Sequence, residues 1–190
     1  MHNMAHAMTA YLGKYKGYEF IWQACMDPAI KVLVMKALSE SSLAMSKEHG
    51  EDMTALSCHS EDLLYRFQNP SLGDTVNRVG RVVLLDRLVG AAKLCDKNKI
   101  LPASICLGIA AGFLFEAPQD AGSDQVDQTV QEQGIDNAIT MVCDIPKESK
   151  LHSMIKDYYI MLKESSSLEM ITASVEIIKN KWIKSRIEYI

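Results

Sequence analysis

Residues 3–14 read NMAHAMTAYLGK, and this stretch decides how the rest of the chain is interpreted. Its small and apolar residues follow a pattern that predicts an α-helix near the start of the chain. Asn3 and His6 are three positions apart, so their side chains project from one face of that helix. The helix therefore presents two polar candidate functional groups at its beginning, ahead of an apolar stretch.

Apolar residues recur at helical spacing along the whole chain, and no stretch alternates strictly enough to indicate a β-strand. Asp27 followed by Pro28 is typical of a helix start, and the apolar stripe behind them is expected to end near Gly50. Further helices are expected around residues 63–67, 83–97, 102–115, 125–133, 136–143, 151–162 and 168–182, with a loop at 116–124. The sequence predicts an all-α, multi-helix bundle.

The composition argues against several classes of protein. Twenty Lys and Arg residues stand against 24 Asp and Glu, for a net charge of -4, so no basic face for nucleic acid is expected. The most apolar stretch, residues 100–115, contains Pro102 and is shorter than the ~20 residues that a membrane helix needs. No membrane partner is predicted, and the protein is expected to be soluble.

The cysteines are dispersed, and no two of them form a CxxC pair. This usage predicts buried free thiols, no metal site and a cytoplasmic location. The five residues are Cys25, Cys58, Cys95, Cys106 and Cys143.

Other single residues have simple structural interpretations. His49, His59 and His152 are isolated and are predicted to be surface or cap residues. Gly108 and Gly112 lie inside an apolar helical run without a preceding strand. A dinucleotide-binding loop needs a strand, a glycine turn and a helix, so close helix packing is the better interpretation of these glycines.

A second polar segment, residues 77–81, reads NRVGR. Arg78 and Arg81 are three positions apart and could clamp a phosphate group together. For an isolated pair of this kind, solvated or ion-paired arginines are the usual alternative. Arg87 follows in the sequence DRLV, residues 86–89.

These two segments resemble the mannitol dehydrogenase family of long-chain polyol dehydrogenases, and especially its branch that acts on sugar-alcohol phosphates. In that family a Lys precedes an Asn by five positions, a His follows three further on, and a segment like Ala-x-Thr-Ala-Tyr-Leu-Gly comes next. Asn3, His6 and residues 7–13 fit this pattern. Further matches at residues 66–70 and 108–111 extend the resemblance from Asn3 to about Lys163.

The resemblance implies a fold and a set of roles. The fold would be the C-terminal helical domain of mannitol dehydrogenases, which is similar to the C-terminal domain of 6-phosphogluconate dehydrogenase. Asn3 and His6 would be catalytic, hydrogen-bonding the oxygen of a sugar-alcohol phosphate substrate. The substrate-binding residues would be Lys14, Arg78, Arg81 and Arg87. The family Lys, which acts as general base, would fall before Met1 and is not expected in this chain.

The resemblance also implies partners. In the complete family enzyme NAD is held by a Rossmann domain, so this chain alone is expected to bind no cofactor and to need that domain as a missing or separate part. The domains are predicted as residues 1–163, the family domain, and 164–190, a helical extension packed on it. A homodimer is expected, through the apolar surface around Asn3 and His6 that the cofactor domain would cover and through a second apolar stripe on the last helix. That stripe comprises Leu168, Ile171, Val175 and Ile178, and the same spacing continues to Trp182.

One alternative stays open. In the family a short insert with Pro and an Arg-Lys pair lies between the two arginine segments, whereas this chain has only residues 82–85 there. Together with the absent Lys, this favours a non-catalytic helical interaction or regulatory module descended from such an enzyme. Retention of Asn3 and His6 favours the enzyme.

Overall fold

The computed structural model describes residues 1–81, 85–117, 120–165 and 167–187, without the side chains of residues 85, 170, 174, 178 and 181–187. Within these ranges the chain forms ten α-helices and a short 3-10 turn at Pro70–Leu72. The helices are α1 (His2–Tyr15), α2 (Ile21–Met26), α3 (Pro28–His49), α4 (Met53–Phe67), α5 (Val76–Val79), α6 (Leu85–Lys97), α7 (Ala103–Gly112), α8 (Ala121–Cys143), α9 (Lys150–Glu164) and α10 (Leu168–Ile187).

The predicted all-α class is confirmed. Over the described ranges no strand occurs, and the one extended pairing is an isolated antiparallel bridge between Phe20 and Thr75. This bridge joins the segment after α1 to the start of α5. It also fixes the position of Asp74, the residue directly before Thr75.

Helices α1 and α7 occupy the centre of the bundle. Every residue of α7 is buried, and this helix packs against α1, α3, α6 and α9. A methyl group placed on Gly108 would come within 2.6 Å of Leu88 and 3.0 Å of Met8. Gly108 therefore allows α7 to approach α1 and α6 closely, which confirms the packing interpretation of this glycine.

The helix boundaries follow the predicted signals at α3. The Asp27 side chain accepts hydrogen bonds from the backbone N–H groups of Ala29 and Ile30, at 2.9 and 3.1 Å. Gly50 ends the helix with a left-handed φ of 72°, a conformation that glycine adopts without strain. Both ends of this helix are thus set by local chemistry.

Some boundaries differ from the predictions. The expected loop at 116–124 ends earlier, because α8 already begins at Ala121. The two helices expected at 125–133 and 136–143 are confirmed as the two segments of α8, which are separated by a non-helical kink at Gly134, where φ is 76° and ψ is 163°. The helix expected at 83–97 begins at Leu85 among the described residues, and Val83 and Pro118 lie outside them.

The last helix is an integral part of the bundle. Leu168, Ile171 and Val175 are each about 1% exposed, and α10 packs against α3, α7 and α9. The expectation that this stripe is free for dimerisation is therefore wrong, because the core of the same chain covers it. Ile178, the remaining member of the predicted stripe, and Trp182 lie outside the described side chains.

Two ion pairs, together called the α10 seam, join α10 to the N-terminal half of the chain. Lys16 Nζ lies 2.6 Å from Glu169 Oε1, and Lys36 Nζ lies 2.5 Å from Glu176 Oε1. The hydroxyl of Tyr15, the last residue of α1, donates a hydrogen bond to the carbonyl of Leu162, near the end of α9 and shortly before α10. These polar contacts thus lie at the edge of the apolar contact between α10 and the rest of the bundle.

The cysteine and histidine predictions hold in part. All five cysteines are free, and four are buried, but Cys58 on α4 is exposed. His49 and His59 are exposed as predicted. His152 is only 2% exposed, and its Nε2 lies 2.9 Å from the backbone carbonyl of Asp136, so its assignment as a surface or cap residue is wrong. In the described part of the chain, no helix is long and apolar enough to cross a membrane.

Candidate functional site

The polar start of α1 lies in a setting made by α4 and α5. The His6 ring stacks on Phe67, the last residue of α4, with ring centroids 4.6 Å apart and planes tilted by 10°. His2, one turn earlier on α1, stacks on His6 at 5.7 Å. On the other side, His6 Nε2 lies 3.6 Å from Asp74 Oδ2. The imidazole is thereby held at the surface of an otherwise buried helix.

His6 is neutral at neutral pH. Burial lowers its pKa to about 4, and the nearby His2 and Arg78 act in the same direction. A neutral imidazole has one N–H group and one lone pair, so it can donate one hydrogen bond and accept another. The 3.6 Å distance to Asp74 is too long for a hydrogen bond. The donor of His6 is therefore available to a ligand.

Asp74 is positioned by the isolated bridge. Its backbone carbonyl accepts from the N–H of Ile21 at 2.9 Å, and the N–H of Val76 donates to the carbonyl of Glu19 at 2.9 Å. The Thr75 hydroxyl oxygen then accepts from the N–H of Arg78 and caps α5. The bridge and the cap together turn Asp74 toward α1.

The two oxygens of the Asp74 carboxylate face different neighbours. Oδ1 pairs with the guanidinium of Arg78, and Oδ2 faces His6. The Asp74 side chain is 16% exposed, whereas that of Arg78 is 63% exposed. Arg78 is therefore ion-paired but open to solvent on its other side.

Asn3 occupies the first turn of α1 and is exposed. Because it precedes His6 by three residues, its amide projects from the same face of the helix. Met4 and Ala5, between them, are buried. The predicted pair is thus brought to one face, as a neutral imidazole beside a carboxamide.

The predicted arginines lie at different distances from this face. Arg78 is adjacent to it through Asp74, and Arg87 in the first turns of α6 is close enough to contribute to the lowered pKa of His2. Burial is the larger cause of that shift, followed by Arg66. Arg81 is exposed immediately after α5, at the edge of residues 82–84, which lie outside the described part.

Lys14 lies elsewhere. It follows His6 by eight residues on α1, which places it about 12 Å farther along the helix axis. Its Nζ donates to Asn77 Oδ1 at 3.1 Å. It also lines a cavity of about 400 Å³ whose other charged residues are acidic: Glu116, Asp124 and Asp127. The structure does not bring Lys14 to the face of Asn3 and His6, and its substrate role stays a prediction.

Sequence reasoning missed Asp74 and Phe67 as members of this site. Phe67 lies at the end of the helix predicted at 63–67, Asp74 falls in none of the predicted helices, and neither is near His6 in sequence. The bridge at Phe20 and the packing of α4 on α1 bring them together. These long-range contacts leave no local sequence signal.

The described residues do not provide a binding unit for a dinucleotide. Such a unit requires a strand, a glycine turn and a helix N-terminus, and the described elements are helices with one isolated bridge. Within the same ranges no group of three or more His, Cys, Asp or Glu side chains could hold a metal ion.

The all-helical fold and the polar face at the start of α1 agree with a known protein family. The family model described as the mannitol dehydrogenase C-terminal domain matches residues 1–177. The chain belongs to this family, which confirms the resemblance seen in residues 3–14. The match runs into α10, beyond residue 163.

Curated relatives of the chain include proteins named mannitol-1-phosphate 5-dehydrogenase. The enzyme of Caldanaerobacter subterraneus subsp. tengcongensis is 40% identical over 166 residues, covering 85% of this chain and 43% of the relative. The enzyme of Thermoanaerobacter pseudethanolicus is 38% identical, covering 82% and 42%. That of Clostridium acetobutylicum is 37% identical, covering 86% and 44%. The chain thus spans less than half the length of these relatives.

Proposed function

We propose that this chain supplies the substrate and catalytic half of an NAD-dependent polyol-phosphate oxidoreductase similar to mannitol-1-phosphate 5-dehydrogenase. The reaction would interconvert mannitol 1-phosphate and fructose 6-phosphate. The observation that carries the proposal is the neutral His6 beside Asn3, held between Phe67 and Asp74 at the start of α1. NAD would be bound by a Rossmann domain outside residues 1–190.

The chemistry assigned to this chain is recognition of the reacting oxygen. Oxidation of an alcohol removes a proton from oxygen, which becomes more negative in the transition state. The amide of Asn3 can donate a hydrogen bond to that oxygen, and neutral His6 can either donate its single N–H or accept from the substrate hydroxyl through its lone pair. Preorganised polar groups of this kind stabilise the transition state. Because its pKa is about 4, His6 carries no extra proton at neutral pH and does not act as a general acid there. The general base would be the family Lys, which lies outside residues 1–190.

The phosphate would be bound by the exposed arginines that border the same face. Arg78 has its open side toward solvent, and Arg87 is near enough to affect His2 electrostatically. Guanidinium groups suit a phosphate because their planar donors match its oxygens. Arg81 is included because it is exposed directly after α5.

The alternative, a non-catalytic helical module derived from such an enzyme, is favoured by one observation. Lys14 lines a cavity with Glu116, Asp124 and Asp127, so a phosphate bound to this lysine would meet repulsive negative charge. On this alternative Asn3 and His6 are retained parts of the fold and have no substrate.

A fusion experiment separates the two. The part of the Caldanaerobacter enzyme that precedes the matched region is joined to residues 1–190, and NAD-linked oxidation of mannitol 1-phosphate is measured. We expect activity from the fusion and none from the chain alone. His6→Ala should lower kcat about 100- to 1,000-fold, whereas His49→Ala, at the exposed end of α3, should not. A folded fusion that binds NAD without turnover would support the module.

A homodimer and a cytoplasmic location remain proposals. The α10 stripe is covered by the chain's own core, so any dimer would have to use another surface. Light scattering at high protein concentration tests the dimer, and a mass near 21.2 kDa would refute it.

A further inference from the structure

Asp74 has two neighbours of different character, and this arrangement suggests a coupling between them. Its Oδ1 pairs with Arg78, which is 63% exposed, while its Oδ2 is 3.6 Å from His6 Nε2. The first contact is an ion pair, and the second is slightly too long for a hydrogen bond. One carboxylate thus stands between a candidate phosphate ligand and a candidate catalytic imidazole.

The backbone around Asp74 is fixed, so any adjustment would occur in its side chain. The carbonyl of Asp74 accepts from the N–H of Ile21, and the N–H of Val76 donates to the carbonyl of Glu19 on the other side of the bridge. Rotation of the side chain is sufficient to change which neighbour the carboxylate favours, because the gap to His6 exceeds a hydrogen bond by well under 1 Å.

We propose that Asp74 is a positioning residue that couples contact between a substrate phosphate and Arg78 to the orientation of the His6 imidazole. The inference rests on the proposed function, from which it takes the roles of Arg78 and His6. A phosphate on Arg78 competes with Oδ1 for the guanidinium. The carboxylate then closes on His6 Nε2 and accepts its N–H, which leaves the lone pair of Nδ1 toward the substrate hydroxyl as an acceptor.

The charges around His6 make the effect measurable. On its own helix His6 faces His2, from the α5 side it faces Arg78 and Asp74, and from α4 it meets the uncharged ring of Phe67. The cations affecting His2 are the N-terminal amine, Arg66, His59 and Arg87. All of these cations oppose a positive charge on the imidazoles, and Asp74 is the facing group that favours one on His6. Freeing Asp74 from Arg78 should therefore raise the pKa of His6.

The test is an NMR titration of the ring of His6 in the full chain. The pKa is measured with mannitol 1-phosphate and, at equal ionic strength, with mannitol. We expect the phosphate ester to raise the pKa from about 4 by about 0.5 to 1 unit. A bound phosphate also acts directly on His6 through its own charge, so the variants must separate the two effects.

Three variants do so. Asp74→Asn should lose most of the ligand-dependent shift, and Asp74→Glu, which keeps the carboxylate, should retain part of it. Arg78→Ala should show a raised His6 pKa without ligand and no further response. Asp62→Asn is the matched control, because Asp62 also pairs with an arginine four residues on, Arg66 of α4, and should respond like the wild type.

The outcomes are distinct. A shift of equal size in Asp74→Asn, a retained response in Arg78→Ala, or no shift in the wild type would overturn the coupling. An inactive fusion enzyme with an Asp74-dependent shift would overturn the proposed function and leave this inference standing. An active fusion enzyme without the shift would support the proposed function and overturn the coupling.

Discussion

The carboxylate of Glu40 in the interior and those of Glu169 and Glu176 at the α10 seam are the same chemical group in opposite surroundings. Glu40 is buried on α3, where it accepts hydrogen bonds from the backbone N–H groups of Ser104 at 2.9 Å and Ile105 at 3.1 Å. It thereby caps α7, whose own N-cap residue has no side-chain cap. Glu169 and Glu176 pair with lysines in contact with solvent.

The two regions should respond to pH in opposite directions. Burial raises the pKa of Glu40 to about 7, against the smaller effect of its hydrogen bonds. Hydrogen bonds from Lys16 and Lys36 lower the pKa values of Glu169 and Glu176. Between pH 4.5 and 7 the folded state holds a proton on Glu40 that the unfolded state has lost, so stability from this group falls as pH rises. The contribution of the seam is present above pH 4.5 and is lost on acidification.

The largest effect should come from the apolar side of α10. Ile171→Ala removes a side chain that is 1% exposed, and we expect the free energy of unfolding to fall by about 2–5 kcal/mol. Ile177 on the same helix is 69% exposed, and Ile177→Ala should change it by no more than about 0.5 kcal/mol. Urea denaturation measures both. Equal effects would mean that α10 is not held by its buried face.

The second effect concerns Glu40. Between pH 4.5 and above 7 its contribution to the free energy of unfolding should decline by roughly 3 kcal/mol, because its pKa is raised to about 7. Glu40→Gln should flatten this part of the pH profile in urea denaturation. The control is Glu48→Gln on the same helix, where Glu48 pairs with Lys97 at the surface. A profile unaffected by Glu40→Gln would show that the carboxylate is ionised throughout.

The smallest effect should come from the seam. Glu169→Gln and Glu176→Gln each remove one exposed ion pair, so amide hydrogen exchange in α10 should accelerate only about two- to five-fold at neutral pH. Below pH 4.5 the wild type should approach the variants, because protonation removes the same interaction. Glu61→Gln, which makes the same charge change on α4, should leave α10 unaffected. Acceleration throughout the bundle would indicate that the seam stabilises more than its own helix.

Local sequence signals predicted the elements well where local chemistry determines them. Asp27 and Gly50 set the ends of α3 as expected, and Gly108 allows close packing as expected. His152 was misassigned because its burial follows from the packing of α9 on α8. The predicted loop at 116–124 extends past the start of α8 at Ala121, because proline and glycine, present here at positions 118 and 122, are typical of loops.

The sequence predicted the residues that α1 contributes to the candidate site, but it did not predict Asp74 and Phe67. Asn3 and His6 lie on one helix, so their spacing sufficed to place them together. Asp74 and Phe67 come from separate elements and reach His6 through the bridge and the packing of α4. Lys14 was grouped with the arginines, but the length of α1 carries it away from His6.

The bridge between Phe20 and Thr75 also bears on the order in which the molecule assembles. The chain between these residues contains α2, α3 and α4, so the pairing closes a long loop for very few backbone hydrogen bonds. The entropy lost in that closure is repaid only after the intervening helices have packed. The polar face should therefore form late in folding. Removing the Thr75 cap of the adjoining α5, as with Thr75→Ala, should accelerate unfolding and leave the folding rate nearly unchanged.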